Sequence, residues 1–190
     1  MMNRIAKQRI LVAAIVLLAV AIDQIIKVYI KTNFALGEAR EITSWFYLCF
    51  VENDGMAFGI EWFSKLLLTL FRIVAVGVLC WYCNRLIVRG TEGNTPVHTG
   101  YLTMVALIIA GALGNIIDCV FYGKIYGYAG WMYGKVVDMF YFPLIRNAAG
   151  ECLFFRPVFN FADSCITIAV AMILIWFTKD LNASLGNEKK

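Results

Sequence analysis

Residues 101–118 read YLTMVALIIAGALGNIID and join a long apolar run to a polar end. From Tyr101 to Ile117 the run has no charged residue, and a helix of that length reaches about 26 Å, close to the thickness of a bilayer core. Asp118 follows at its edge. A carboxylate at membrane depth costs roughly 2.5–3.5 kcal/mol, so such a residue is a candidate for function. The stretch therefore predicts a membrane-spanning helix that carries part of a polar site.

Three further apolar runs of similar length surround this one. The chain is 61% hydrophobic and 16% charged, whereas soluble domains are typically about 45–50% apolar. The first run is interrupted by Asp23 and Lys27, and the second carries Arg72. We predict an all-α membrane protein that forms a single domain over residues 1–190. Its four transmembrane helices are expected at approximately residues 10–30, 66–82, 101–117 and 161–177.

The distribution of Lys and Arg predicts the orientation. Basic residues are concentrated in the N-terminal segment, at the start of the second connecting loop and in the C-terminal tail, whereas the long first and third loops carry them sparsely. By the positive-inside rule both termini and the second loop are cytoplasmic, and the first and third loops face outward. A cleavable signal peptide ending at Ala19-Val20-Ala21 is the alternative for the N-terminus. Apolar character resumes after Asp23, which favours retention as the first span.

The outward segments are rich in aromatic residues. Residues 45–51 are aromatic and β-branched and precede the turn signal Asn53-Asp54-Gly55, which predicts a short extracytoplasmic strand or hairpin. In the third loop, residues 121–158, the many Tyr, Trp, Phe and Gly residues indicate a segment that lies along the membrane interface.

Several classes of site have little support in the sequence. Cys80-x-x-Cys83 lies inside an apolar run without a second pair, so the six cysteines are interpreted mainly as small buried apolar residues, with a Cys119–Cys152 disulfide left open. One histidine, His98, gives no zinc motif, and we expect neither a metal nor a cofactor. No basic, aromatic-rich stripe indicates nucleic-acid binding.

The polar residues of the third run share one helix face. Asn115 and Asp118 are three residues apart, and Gly111 and Gly114 precede them at a spacing that allows close approach of another helix. Helix packing that ends in a polar cap is the alternative interpretation of this pattern.

Five more polar residues lie near span ends or inside the first span. Asp163 follows Asn160 where an N-cap is expected, Asp138 closes an apolar stretch, and Asp23 with Lys27 forms an i,i+4 pair. Asp118, Asp138 and Asp163 are thus expected to converge at the outward ends of the third and fourth spans. Two carboxylates that share one proton can activate water, which predicts acid–base chemistry.

In this order the motifs resemble those of the lipoprotein signal peptidase (signal peptidase II) family of bacterial aspartyl membrane proteases. The resemblance extends over about residues 10–178. It is carried by Asp23-Gln24-x-x-Lys27, Asn53-x-Gly55-x-Ala57-Phe58-Gly59, Gly111-x-x-Gly114-Asn115-x-x-Asp118, Val137-Asp138 and Phe159-Asn160-x-Ala162-Asp163.

The resemblance implies a function and a role for each residue. Asp138 and Asp163 match the catalytic dyad, and Asn53 and Gly55 match a substrate-binding motif. The implied enzyme is a metal-free aspartic endopeptidase of the bacterial inner membrane, with its active site toward the outer face. Its implied substrates are diacylglyceryl prolipoproteins, cleaved just before the lipidated cysteine, and we expect a monomer among membrane lipids. Residues with a supporting role are Asp23, Lys27, Asn115, Asp118 and Asn160.

The sequence departs from the family pattern at two places, and one other function is an alternative. The family commonly has Arg after the residue matched by Asp118, and this chain has Cys119, which removes one expected partner of that carboxylate. The third loop is also long, and its segment 126–134 is a candidate flap, while residues 45–51 are a candidate site of β-augmentation by substrate. A proton-coupled transporter is the rival function, because buried acids also build proton relays.

Overall fold

The computed structural model describes residues 3–55, 63–92, 97–146, 152–154 and 157–186. Ala57, Phe58 and Gly59 of the second motif lie outside these ranges. The helices are α1 (Arg4–Asn33), α2 (Phe63–Glu92), α3 (Thr99–Ile117), α4 (Gly123–Ile125), α5 (Phe161–Trp176) and α6 (Thr178–Ser184), with a π-helical turn (Asp118–Tyr122) between α3 and α4. The strands are β1 (Ala39–Thr43), β2 (Phe46–Asn53), β3 (Val136–Tyr141), β4 (Ile145–Arg146), β5 (Cys152–Phe154) and β6 (Val158–Phe159).

Within the described residues, three helices are long and apolar enough to cross a membrane, and α5 with α6 would be a fourth span with a 90° bend. The predicted helical membrane fold with a small β element is therefore confirmed in its class. Both α1 and α2 extend well beyond the predicted spans. At the start of α1, for example, Asn3 Oδ1 caps the helix by accepting from the backbone N–H of Ala6 at 2.8 Å. A search for apolar runs does not detect the polar ends of a helix that extend beyond the hydrocarbon layer.

Helix α3 is the centre of the bundle. Of its most apolar window 56% is buried, against 17% for the windows of α1 and α2, and it packs against α1, α2 and α5. Leu102 and Ala106 on α3 are fully buried, together with Ala169 of α5. The outer faces of α1 and α2 leave large apolar side chains such as Leu17 and Phe71 exposed, as expected for surfaces that contact lipid.

A four-stranded antiparallel sheet with the order β1-β2-β3-β6 covers one end of this bundle. Strand β3 is buried along most of its length, and Val137 and Met139 pack with Ile30 of α1 and Tyr122 of the π-helical turn. The sheet is thereby fixed to the ends of α1 and α3. Because Asp138 lies on β3, this contact sets the position of that carboxylate.

The strand predicted within residues 45–51 is confirmed as β2, but its predicted pairing with substrate is wrong. Strand β2 lies between β1 and β3, so both of its edges already carry ladder hydrogen bonds. The free edges of the described sheet belong to β1 and β6. Alternation of side chains along the sequence indicates a strand but does not tell an inner strand from an edge strand.

Candidate active site

The first polar cluster surrounds the ammonium group of Lys27 on α1. Lys27 is 0% exposed. Its Nζ lies 2.9 Å from Asp23 Oδ2, 2.7 Å from Asp118 Oδ2 and 2.9 Å from Asn115 Oδ1. The three donors of the ammonium group are all used, and the predicted i,i+4 pair with Asp23 is confirmed. Lys27 thus ties α1 to the polar end of α3.

Gln24 completes this cluster, although the sequence analysis gave it no role. Its Nε2 donates to Asp118 Oδ1 at 3.0 Å and to Asp23 Oδ2 at 3.1 Å, and its Oε1 accepts from the Tyr122 hydroxyl at 3.0 Å. The signal for Gln24 was its place directly after Asp23. Nothing in the local sequence marks Tyr122, because its contact depends on the π-helical turn.

Asp118 begins that π-helical turn and joins α3 to the sheet. Its Oδ2 accepts from the backbone N–H of Val137 on β3 at 3.3 Å. A π-turn inserts extra backbone into a helix and is frequent at functional sites. Asn115 and Asp118 face the same cluster, as the three-residue spacing predicted.

Asp138 lies on β3 and is held by two amide side chains. Asn53 Nδ2 donates to Asp138 Oδ2 at 3.0 Å, and Asn160 Nδ2 donates to Asp138 Oδ1 at 2.6 Å. Only 2% of Asp138 is exposed. The pKa of Asp138 is raised to about 6, first by this burial and then by the nearby charge of Asp163, which together outweigh the two amide donors.

Asp163 lies in the first turn of α5. It forms a capping box with Asn160, whose Oδ1 accepts from the Asp163 N–H at 2.9 Å, while Asp163 Oδ2 accepts from the Asn160 N–H at 3.3 Å. Asp163 Oδ1 also accepts from Asn115 Nδ2 at 2.9 Å. The predicted N-cap is confirmed, yet the same carboxylate is linked to the polar end of α3.

A chain of side-chain amides connects the two aspartates. Asn160 Nδ2 donates to Asp138 and also to Asn115 Oδ1 at 3.2 Å, and Asn115 in turn donates to Asp163. The Lys27 ammonium holds the carbonyl oxygen of Asn115. The structure therefore brings together the matched dyad and all five supporting residues predicted from the sequence.

The two glycines of α3 allow this convergence. A Cβ at Gly111 would lie 2.4 Å from the backbone oxygen of Ala162 on α5, and a Cβ at Gly114 would lie 2.5 Å from Asp23 Oδ2 on α1. Both distances are far below van der Waals contact. The close helix approach expected from their spacing is confirmed, and it brings Asn115 within reach of Asp163.

Gly55 and Asn53 form a turn at the end of β2. The N–H of Gly55 donates to Asn53 Oδ1 at 2.7 Å, and Gly55 has a positive φ of 69°, which glycine adopts without strain. This hydrogen bond orients the Asn53 amide so that its Nδ2 faces Asp138. Gly55 thus helps to position Asn53, whose contact with substrate remains a prediction.

Arg72 lies midway along the second span, where it could have neutralised one of the acids, but among the described residues it forms no ion pair. Its Nη1 donates to Cys119 Sγ at 3.0 Å. Cys119 is a buried free thiol, so it does not pair with Cys152 in this structure. Lys27 and Gln24 orient Asp118 in place of the absent arginine after it.

Two ion pairs beside Asn53 were not found from the sequence. Glu52 pairs with Lys31 of α1, and Asp54 pairs with Lys65 of α2 at 2.5 Å. Asn53 is thus held between residues that are tied to two different helices. The available signal was that Lys31 follows Lys27 by four residues and so lies on the same face of α1.

His98 and the CxxC pair lie away from this site. His98 Nδ1 accepts from the Gly100 N–H at 3.2 Å and caps the opposite end of α3. Cys83 is buried in the bundle core and Cys80 is exposed, and both are free thiols. Within the described ranges, no three His, Cys, Asp or Glu side chains are grouped for metal binding.

A family model and individual related proteins assign this chain to the same family. Residues 15–179 match the family described as signal peptidase (SPase) II. The chain belongs to the signal peptidase II family. It is 44% identical to the lipoprotein signal peptidase of Porphyromonas gingivalis, over 94% of this chain and 87% of that protein. It is 35% identical to the lipoprotein signal peptidase of Streptococcus pneumoniae, over 92% of this chain and 96% of that protein.

Solved structures agree with the signal peptidase II assignment. A bacterial membrane enzyme determined by the in meso method at 2.3 Å is 27% identical, with a TM-score of 0.63 over 94% of this chain and 93% of that chain. A second, at 1.9 Å, is 26% identical, with a TM-score of 0.65 over 89% and 93%. The family predicted from the ordered motifs, and with it a protease, is confirmed.

Proposed function

We propose that this chain removes signal peptides from prolipoproteins whose cysteine carries diacylglycerol, and that Asp138 and Asp163 are its catalytic dyad. The observation that carries the assignment is the chain of hydrogen bonds from Asp138 through Asn160 and Asn115 to Asp163. It holds two carboxylates, from a strand and a helix end, at one polar site beside the membrane. Family membership supplies the substrate class.

The two carboxylates have different surroundings. Asp138 is almost fully buried beside another acid, which favours its protonated form, whereas Asp163 lies in the first turn of α5 and accepts hydrogen bonds from Asn115 and from the Asn160 N–H. In the proposed reaction Asp163 takes a proton from water as its oxygen attacks the scissile carbonyl carbon. Asp138 gives its proton to the carbonyl oxygen, forming a neutral tetrahedral diol.

Collapse of that diol restores the enzyme. Asp163 gives the proton that it took from water to the leaving nitrogen, the C–N bond breaks, and one diol hydroxyl returns its proton to Asp138. Asn53 and Asn160 hold Asp138 in place throughout, and Asn115 does the same for Asp163. One water is consumed for each peptide bond, and no step needs a metal.

The setting follows from the same geometry. Because the acids are grouped at one end of the bundle, they do not line a path across it, which disfavours the transporter alternative. We infer four spans, with α5 and α6 as the fourth, and an active site at the outer face of the bacterial inner membrane. The sheet then faces the extracytoplasmic side, and both termini are cytoplasmic. We propose that residues 1–190 form a single domain and that the enzyme acts as a monomer surrounded by lipids.

The direct test is cleavage of a synthetic diacylglyceryl-cysteine prolipopeptide by the purified protein in detergent. We expect Asp138→Asn and Asp163→Asn each to lower kcat by at least about 10³-fold, because each removes one half of the proton relay. Asp180→Asn, an acid on α6 outside the site, serves as the matched control and should retain activity. EDTA should have no effect. Substantial turnover by both dyad variants would refute the residue assignment.

A further inference from the structure

A cavity of about 590 Å³ lies between α2, α3 and α6. Trp81, Arg85 and Arg89 of α2 form one wall, Tyr101 in the first turn of α3 lies at its base, and Asp180 of α6 lies on the remaining side. We refer to the space bounded by these five residues as the arginine cavity. The catalytic proposal above makes no use of it.

The arginine cavity is at the opposite end of the bundle from the aspartates. Tyr101 is in the first turn of α3 and Asp118 follows its last residue, so about 26 Å of helix separates them. Helix α6 meets α5 at 90°, which places it across this end of the bundle. The cavity therefore opens where lipid headgroups lie when the helices span a bilayer.

Among the side chains that the structure describes, the charges lining the cavity are not balanced. Arg85 and Arg89 are four residues apart on one face of α2, and no described carboxylate lies within ion-pair distance of either guanidinium group. Arg85 packs over the Trp81 ring at 5.1 Å. Asp180 is the single acid among the described lining residues, so two arginines face one carboxylate there.

The wall formed by α6 is fixed by hydrogen bonds. The Tyr82 hydroxyl lies 2.7 Å from the Tyr101 hydroxyl and 2.6 Å from Ser184 Oγ. These contacts tie α2, α3 and α6 together at the base of the cavity. The space is thus a built pocket with polar hydroxyls below and guanidinium groups at its side.

We propose that the arginine cavity binds the phosphate of an anionic glycerophospholipid from the leaflet opposite the active site. Paired guanidinium groups match phosphate oxygens, and basic pockets between spans are suited to anionic headgroups. Trp81 lies where the amphipathic indole ring is favoured at a membrane interface. The excess positive charge selects phosphatidylglycerol over zwitterionic lipids.

Lipid binding to the full-length protein, measured by native mass spectrometry in detergent, tests the site with dioleoylphosphatidylglycerol as the probe. The double variant Arg85→Gln/Arg89→Gln should lower the affinity by about 10- to 30-fold, since each basic residue near the membrane surface contributes on the order of a fivefold change. Asp180→Asn removes the opposing charge and should raise the affinity several-fold. Arg4→Gln/Lys7→Gln removes two charges near the start of α1, outside the cavity, and should change the affinity less than about twofold.

Three results would overturn the proposal. An equal loss in the Arg4/Lys7 variant would indicate diffuse attraction by charge. Equal affinity for phosphatidylcholine would mean that the arginines do not select the headgroup. Competition by millimolar glycerol 3-phosphate would identify a site for a soluble phosphate. Prolipopeptide cleavage is measured on the same preparations to separate this proposal from the catalytic one. A variant that loses lipid selectivity but keeps full cleavage activity is affected in the cavity alone.

Discussion

At the scale of single residues, the role that we propose for Asp138 as the acid of the dyad predicts how activity depends on pH. Its pKa is raised to about 6 by burial and by the charge of Asp163, so Asp138 is protonated below about pH 6 and ionised above it. If Asp138 is the acid of the dyad, kcat/KM falls on the alkaline side as this proton is lost. The pH profile thus reports the environment of one residue.

Substitution of Asn53 should shift the pH at which kcat/KM falls on the alkaline side, which we call the alkaline limb. Its Nδ2 donates to Asp138 Oδ2 and favours the ionised carboxylate. In Asn53→Ala the ionised form loses a hydrogen bond, so the pKa of Asp138 rises further and the alkaline limb of kcat/KM should move up by about one pH unit. Asn33→Ala, at the exposed end of α1, is the control. A lower rate with an unmoved limb would show that Asn53 does not act through Asp138.

Lys27 is the residue whose loss should cost the most stability. It is fully buried between Asp23 and Asp118, so Lys27→Met leaves two buried carboxylates without their cation. Breaking a buried ion pair from one side costs about 3–5 kcal/mol, and thermal unfolding in detergent should show a large loss. Lys7→Met on the exposed start of α1 should have little effect. Adding Asp23→Asn and Asp118→Asn to Lys27→Met should recover part of the stability, and no recovery would contradict the electrostatic cause.

At the scale of elements, the contact between α3 and α5 sets the distance between Asn115 and Asp163. Gly111→Ala places a methyl group 2.4 Å from the Ala162 backbone oxygen, which cannot move as a flexible side chain would. The helices must separate, so we expect a stability loss of about 1–3 kcal/mol and a lower kcat. Gly77→Ala on α2, where a Cβ meets nothing within 4 Å, should be neutral or slightly stabilising. Equal behaviour of the two variants would refute the packing argument.

Elements also show what the sequence could and could not predict. Apolar runs and helical spacing identified α1, α2, α3 and α5, the shared face of Asn115 and Asp118, and the pairing of Asp23 with Lys27. Strand β3 was missed as an element, because Val136–Tyr141 is buried on both faces and has no alternating pattern. The inner place of β2 and the π-helical turn at Asp118 depend on contacts between distant segments, which local patterns do not encode.

Residues 126–134, the candidate flap, are hydrogen-bonded to the π-helical turn. Gly134 N donates to the Cys119 oxygen at 2.8 Å, and Met132 N donates to the Val120 oxygen at 3.1 Å. These bonds tie the segment to the π-helical turn that carries Asp118. The segment is therefore anchored beside Asp118 at its C-terminal end, and its role as a flap over substrate stays a prediction.

At the scale of the whole molecule, the two ends of the bundle differ in how their cations are compensated. At the sheet end Lys31, Lys65 and Lys135 each lie within 4 Å of Glu52 or Asp54. At the other end Arg4, Lys7, Arg85, Arg89 and Lys179 form no ion pair with any carboxylate whose side chain the structure describes. The uncompensated positive charge at that end favours the cytoplasm.

Cysteine labelling in cells tests this orientation. Thr43 is exposed on β1 at the sheet end, and Leu185 is exposed just after α6 at the opposite end. A membrane-impermeant maleimide should label Thr43→Cys in cells whose outer membrane alone is permeabilised. It should label Leu185→Cys only after the inner membrane is permeabilised as well. The parent chain supplies the background from its own thiols, of which Cys80 is exposed on α2. The reverse labelling pattern would place the dyad on the cytoplasmic side, where a lipid-anchored substrate that emerges at the outer face could not reach it.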